Sequence, residues 1–172
     1  SGVPMFDFDI LFEAISAHVT RAAEKLRQNG LVAGTLTVFY HTNRHRLDRP
    51  QYASSRSMQI TPMSSDTFEL VRAARLCATA AWPKRSAGQY GFTKAGVMLD
   101  DLLPLEQRPR TLFDLSDKKP NPAIEALDKI NRRFGSKTMS LGSEGVKRSW
   151  KLRSAYRSPR YTTRLSDLPV VR

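Results

Sequence analysis

The sequence predicts an α+β fold, followed by a linker, a short helix and a basic tail. Three observations predict it. Apolar residues recur at helical spacing from Phe8 to Asn29 and again from Leu70 to Ala81. Alternation of period two marks strands at 33–42, 55–61 and 90–99. A run holding Pro109, Lys118, Lys119, Pro120 and Pro122 then sets this part off from a last helical stretch.

In the first helix Leu11, Ile15, Val19, Ala22 and Leu26 share a stripe, with Glu13, Ser16, Thr20, Glu24 and Arg27 elsewhere. Asp7 or Asp9 is placed to cap its start, and Gly30 suits a left-handed stop. His18 is read as a helix-edge residue. In the first strand Leu36, Val38 and Tyr40 face one way and Thr35, Thr37, Phe39 and His41 the other, so one face packs on helices and one meets solvent or a ligand. The second strand sets Arg56, Met58 and Ile60 against Ser55, Ser57 and Gln59. Asp66-Thr67-Phe68-Glu69 resembles a capping box that opens the second helix, whose stripe is Leu70, Val71, Ala74, Cys77, Ala78 and Ala81. Pro83 ends it. In the third strand Thr93, Ala95, Val97 and Leu99 alternate with Phe92, Lys94 and Met98.

Beyond the linker, Asn121 caps, Pro122 starts and Gly135 stops a helix with the stripe Ala123, Leu127, Ile130 and Phe134. Thr138 to Leu141 reads as a short strand. From Lys147 to Arg172 there are eight basic residues and one acid, interleaved with Trp150, Tyr156 and Tyr161. Little apolar periodicity marks that tail, which is read as ordering on a partner.

At 172 residues and 40% hydrophobic the chain holds one ordinary domain plus an appendage. The formal net charge of +12 points to polyanionic partners. Residues 1–113 contribute +4 and residues 114–172 contribute +8, so the excess belongs mainly to the tail. No apolar run approaches a membrane span, no signal peptide opens the chain, and the lone Cys77 suits a reducing compartment; a cytoplasmic protein is the expectation. Ser1-Gly2 has the form of a cloning scar, which points to a piece of a longer protein.

Catalytic patterns are scarce. Asp100-Asp101 follows a strand, but neighbouring strand residues face opposite sides and no third ligand lies near in sequence. His41 and His45 share no helical face, and one cysteine is too few for a zinc site. No phosphate-binding glycine loop and no nucleophile elbow occurs. The expectation is no metal, no cofactor and no unaided enzyme. A polar sheet face with Thr35, Thr37, His41, Ser57 and Lys94 can instead lie along a nucleic-acid groove, with Arg44, Arg46, Arg49 and Arg56 on flanking phosphates. A solvated basic face explains the same residues equally well. In the linker, the bare Leu112-Phe113 pair has the form of a docking peptide, or of an apolar pair folded back on its own domain.

The segments Leu127-Asp128-Lys129-Ile130-Asn131-Arg132-Arg133-Phe134-Gly135 and Ser158-Pro159-Arg160-Tyr161-Thr162-Thr163-Arg164, closing on Asp167-Leu168-Pro169, resemble the C-terminal end of UmuC-type proteins. Arg21 to Arg27 and Lys94 to Leu99 resemble the same family, in the same order along nearly the whole chain. These proteins are the catalytic subunits of bacterial DNA polymerase V, Y-family translesion polymerases of the SOS response. The resemblance implies that residues 1–105 are a little finger domain, an antiparallel sheet backed by two helices that grips primer-template DNA. It also implies that the chain begins after that domain's first strand, so that the sheet lacks a strand, exposes an edge through which copies can associate, or borrows a strand from a neighbour. The palm carboxylates of the polymerase are not in this chain, so it is not expected to polymerise.

The resemblance further assigns 106–120 as a linker with a peptide for the β sliding clamp. There Leu112 and Phe113 keep the apolar plug, while Pro109 and Arg110 replace the family's glutamine and first leucine. Residues 121–172 resemble the basic C-terminal region associated with the UmuD′ dimer and the RecA filament. The residues assigned are Thr37, His41, Arg44, Arg46, Arg56 and Lys94 for DNA, Leu112 and Phe113 for the clamp, and Trp150, Arg160, Tyr161 and Arg164 for partners. A protein-interaction module for acidic partners is the competing reading. A nuclease using Asp100 and Asp101 is the weakest.

Overall fold

The computed structural model describes residues 3–83, 87–109, 121–135, 137–145 and 150. Helix α1 (Phe8–Gln28) leads into β1 (Leu31–Thr42) and β2 (Ala53–Ser64), then α2 (Thr67–Ala81), β3 (Phe92–Pro104) and α3 (Pro122–Phe134). The sheet order is β2-β1-β3, antiparallel throughout, so the expected α+β arrangement of a sheet backed by two helices is what forms. Leu36, Val38 and Tyr40 point into the helical layer and are buried. Leu11, Ile15, Val19, Leu70, Ala74, Cys77 and Ala78 meet them from α1 and α2. Each large apolar side chain removed from water there stabilises the fold by roughly 1.5–3 kcal/mol.

Caps set the helix bounds. The Asp7 carboxylate accepts the Asp9 amide at 2.7 Å, and Asp66 accepts the amides of Phe68 and Glu69. At the other end, Tyr40 donates its hydroxyl to the carbonyl of Ala78 at 3.1 Å and Tyr52 donates to Ala81 at 3.0 Å. Two of the last-turn carbonyls of α2, which have no partner within the helix, are thereby satisfied. Tyr40, Phe92, Trp82 and Tyr52 pack edge to face or tilted, with Tyr40 and Phe92 centroids 5.0 Å apart. This aromatic block stands at the end of the sheet where β1 turns into β2.

Four expectations are corrected. Phe92 lies in the core, not with Lys94 and Met98: His41 pairs with Lys94 and Thr42 with Phe92, so Thr93 is an extra residue that flips the alternation. Ser16 faces inward, its hydroxyl 2.6 Å from that of Ser143. The buried face of α3 is Ile124, Leu127 and Asp128, leaving Ala123 and Phe134 exposed, because Asp128 meets Arg27 of α1 at 2.7 Å. Residues 138–141 form no strand. The Asn131 side chain donates to the carbonyl of Met139 and accepts its amide, both at 2.9 Å, taking the bonds that a neighbouring strand supplies in a sheet.

Beside β3, Met5 exchanges two backbone hydrogen bonds of 2.8 Å with Phe92 and forms an isolated bridge. Among the described residues the rest of that edge pairs with no strand. Also among them, no helix is long and apolar enough to cross a membrane.

Candidate nucleic-acid interface

The loop between β1 and β2 is tightly braced for a segment so exposed. Asn43 accepts the His45 amide on its side chain, and two successive turns follow, Arg46 to Asn43 and Arg49 to Arg46. Gln51 ties them down: its amide nitrogen donates to the carbonyls of Arg46 at 2.8 Å and Arg49 at 3.2 Å, while its oxygen accepts the Thr42 hydroxyl at 2.8 Å. Thr42 in turn accepts the Tyr52 amide on its hydroxyl. The arginines are therefore carried on a shaped backbone.

Register defines the sheet's outer face. Ser57, Thr37 and Met98 form one row, Ser55, Phe39 and Gly96 the next, and Ala53, His41 and Lys94 the row nearest the loop. Thr37 and Ser57 join hydroxyls at 2.8 Å. The opposite end is acidic: Thr35 lies across from Asp100 and donates its hydroxyl to Asp101. Asp101 adopts a left-handed φ of 53°, and Gly34 leaves it room, since a Cβ there would approach the Asp101 Cβ to 3.0 Å. Neither carboxylate belongs to a group of three metal-ligating side chains among the described residues. The face is thus basic at one end and acidic at the other.

At the basic end a cleft of about 570 Å³ brings together His41, Arg44, Arg46, Arg49 and Lys94. His41 Nδ1 lies 2.8 Å from the Thr42 carbonyl, which can only accept, so Nδ1 carries the proton and Nε2 remains an acceptor in the neutral ring. Arg46 pairs through two nitrogens with Asp48, at 3.0 and 3.1 Å, and Arg49 approaches the same carboxylate at 3.9 Å. The hydrogen bond from Arg46 holds Asp48 below the usual carboxylate range and raises the guanidinium. Arg44 and Lys94 have no ion-pair partner among the described residues.

Four of the six residues assigned to DNA, His41, Arg44, Arg46 and Lys94, therefore share one cleft, and Thr37 stands on the adjoining face. Arg56 does not join them: it sits opposite Val38, on the helical side of β2, exposed at the sheet's edge. Trp150 is partly buried on the core, with its ring 6.3 Å from His18. Leu112, Phe113, Arg160, Tyr161 and Arg164 lie outside the described residues. Sequence reasoning missed Gln51 and Asn43, for which a polar pair bracketing an arginine-rich loop is the only local sign.

A three-stranded antiparallel sheet with two helices on one face and a basic loop at its end defines the class. The profile of the impB/mucB/samB family C-terminal domain matches residues 2–112, and the chain belongs to that family. A domain of unknown function, DUF4113, matches residues 123–171. Among its relatives, Protein UmuC of Salmonella typhimurium is 31% identical over 97% of this chain, and Protein MucB of Escherichia coli is 32% identical over 92%. Protein SamB of Salmonella typhimurium is 28% identical over 96%. The chain spans 36–39% of the length of these relatives and corresponds to the C-terminal part of a UmuC-type protein.

Proposed function

We propose that this chain is the DNA-gripping and partner-recruiting part of a Y-family translesion polymerase acting in SOS damage tolerance, and that it carries no polymerase chemistry itself. The observation that carries the reading is the braced cleft: three arginines, Lys94 and His41 converge at one end of the outer sheet face. Charged groups on backbone phosphates hold duplex without regard to sequence. Primer-template DNA is the ligand in this reading. The β sliding clamp, docked through Leu112 and Phe113, and the UmuD′ dimer and RecA filament, met by residues 121–172, are the partners.

Fluorescence anisotropy of a labelled primer-template duplex, titrated at several salt concentrations, tests it. Six phosphate contacts weaken binding roughly a thousandfold between 50 and 200 mM salt. Undetectable binding at low salt defeats the reading. For the clamp, Leu112→Ala with Phe113→Ala must lower affinity; unchanged affinity removes that partner.

The competing reading, a module for acidic partner proteins, is favoured by α3. Phe134 is 67% exposed there beneath the Arg133 guanidinium, 5.5 Å from the ring centre. An exposed aromatic ring beneath an arginine suits a protein interface. Shallow salt dependence on DNA together with tight binding to an acidic protein favours this reading over the first.

A further inference from the structure

Phe39 is an anomaly on the outer sheet face. It belongs to the central strand, yet it is 38% exposed, in the row next to His41 and Lys94. Its partner across β3 is Gly96, and the three outermost atoms of the ring lie over that glycine, so that a Cβ at Gly96 would collide with the ring. Any other residue there would lift the ring off the sheet. Met98, diagonally adjacent and 52% exposed, walls one side with a polarisable thioether.

From this geometry we infer that Phe39, laid across Gly96, is a stacking platform for one unpaired DNA base, whose flanking phosphates run toward Lys94 and Arg44. The inference rests on the DNA-gripping reading and narrows its substrate to DNA with single-stranded template beside the duplex. Three arguments lead there. A duplex hides the faces of its bases and offers only edges to a sheet, so a ring lying over the sheet has nothing to stack on in intact duplex. Aromatic side chains on positively lined surfaces are how single strands are held, because every base has a π-face. The spacing fits as well. His41 and Lys94 stand two residues, about 7 Å, along the strands from Phe39 and Gly96, and the braced cleft lies just beyond. In the other direction Asp100 and Asp101 repel phosphate, which leaves the strand one way to run.

The test uses the whole chain with three probes: a labelled duplex, a labelled single strand, and a single strand carrying one 2-aminopurine, whose fluorescence falls when it stacks. Phe39→Ala is expected to weaken single-strand binding about tenfold or more, to change duplex binding less than about twofold, and to abolish the 2-aminopurine quench. Phe39→Tyr is expected to restore all three. Arg44→Ala is expected to weaken duplex and single strand alike. Thermal melting of each variant reports whether it folds. Unchanged single-strand affinity or quench in Phe39→Ala overturns the inference, as does an equal loss on both DNAs. Duplex binding by the native chain without single-strand binding overturns this inference alone; binding of neither overturns the DNA-gripping reading with it.

Discussion

Arg27 and Asp128, 101 residues apart in sequence, grip each other through two parallel bonds, Nε to Oδ2 at 2.7 Å and Nη2 to Oδ1 at 3.0 Å. The remaining nitrogen of the same guanidinium donates to the Ser65 carbonyl at 2.7 Å and the Thr67 hydroxyl at 2.8 Å. One side chain of α1 thus fastens the β2–α2 junction and the helix that follows the linker. Arginine suits this position because its planar fork serves a carboxylate and a second site together, which a lysine ammonium does not. The segment matched by DUF4113 is joined to the sheet-and-helix domain by a specific polar contact as well as by Ile124 and Leu127.

Removing that contact is expected to loosen α3 while leaving the sheet intact. The pair keeps 19% and 13% side-chain exposure, so it falls short of a fully buried pair, and Asp128→Ala is expected to cost about 2 kcal/mol. Arg27→Ala should cost more, because it also orphans the Ser65 carbonyl. Hydrogen exchange that rises in α3 but not in β1 confirms the assignment. A double-mutant cycle showing no coupling between the two residues rejects it.

Asp48 tempers the basic loop. Its carboxylate already neutralises Arg46, so Arg46→Ala is expected to reduce DNA affinity less than Arg44→Ala, whose guanidinium has no such partner among the described residues. Arg44→Ala should lower the salt slope by about one. Asp48→Asn should raise affinity, because it releases two arginines toward phosphate. Salt titrations of the three variants decide the order; a weaker Asp48→Asn complex contradicts it.

Much of this was legible in the sequence, and the failures share one cause. The alternation of Leu36, Val38 and Tyr40, and the caps at Asp7 and Asp66, are local signals, and they placed the central strand and both backing helices to within a few residues. The Thr93 bulge left no local mark, so Phe92 was assigned to the wrong face. The inward face of α3 was misread because a residue 101 positions away chooses it: apolar periodicity favours Ile130 and Phe134, while the Arg27 contact turns Asp128 inward. In the site, charge alone picked out Arg44, Arg46 and Lys94. That they converge depends on the pairing of His41 with Lys94 and on a loop held by Gln51, both visible only once the chain is folded.

Gln51 offers a way to change the site without changing its charge. Gln51→Ala removes three hydrogen bonds and unties Arg46 and Arg49 from Thr42. At about 1 kcal/mol for each bond in the folded state, much of it recovered by water at this exposed position, the loss of stability should stay near 1 kcal/mol. The effect on DNA is expected to be larger than that suggests, several-fold in affinity with the salt slope unchanged, because the arginines must then be ordered on binding. A changed slope with unchanged affinity at low salt argues against the bracing role.

Tyr40 ties the fold's stability to alkaline pH. Its hydroxyl is buried beneath α2, and burial, helped by the neighbouring Tyr52, raises its pKa well above the ordinary 10.0. The native chain therefore holds this proton more tightly than the unfolded chain, and stability falls with pH wherever that is so. The contribution is complete below pH 10, where both states are neutral, and is lost as pH climbs from there toward the raised native value. Cys77, its thiol also raised by burial although Arg56 pulls the other way, adds a loss of the same sign. Tyr40→Phe is expected to cost about 1 kcal/mol at neutral pH, through the unpaired Ala78 carbonyl, and to flatten the decline above pH 10. Chemical denaturation from pH 7 to 11 measures both; parallel curves for the native chain and the variant show that the buried phenol does not govern the alkaline limit.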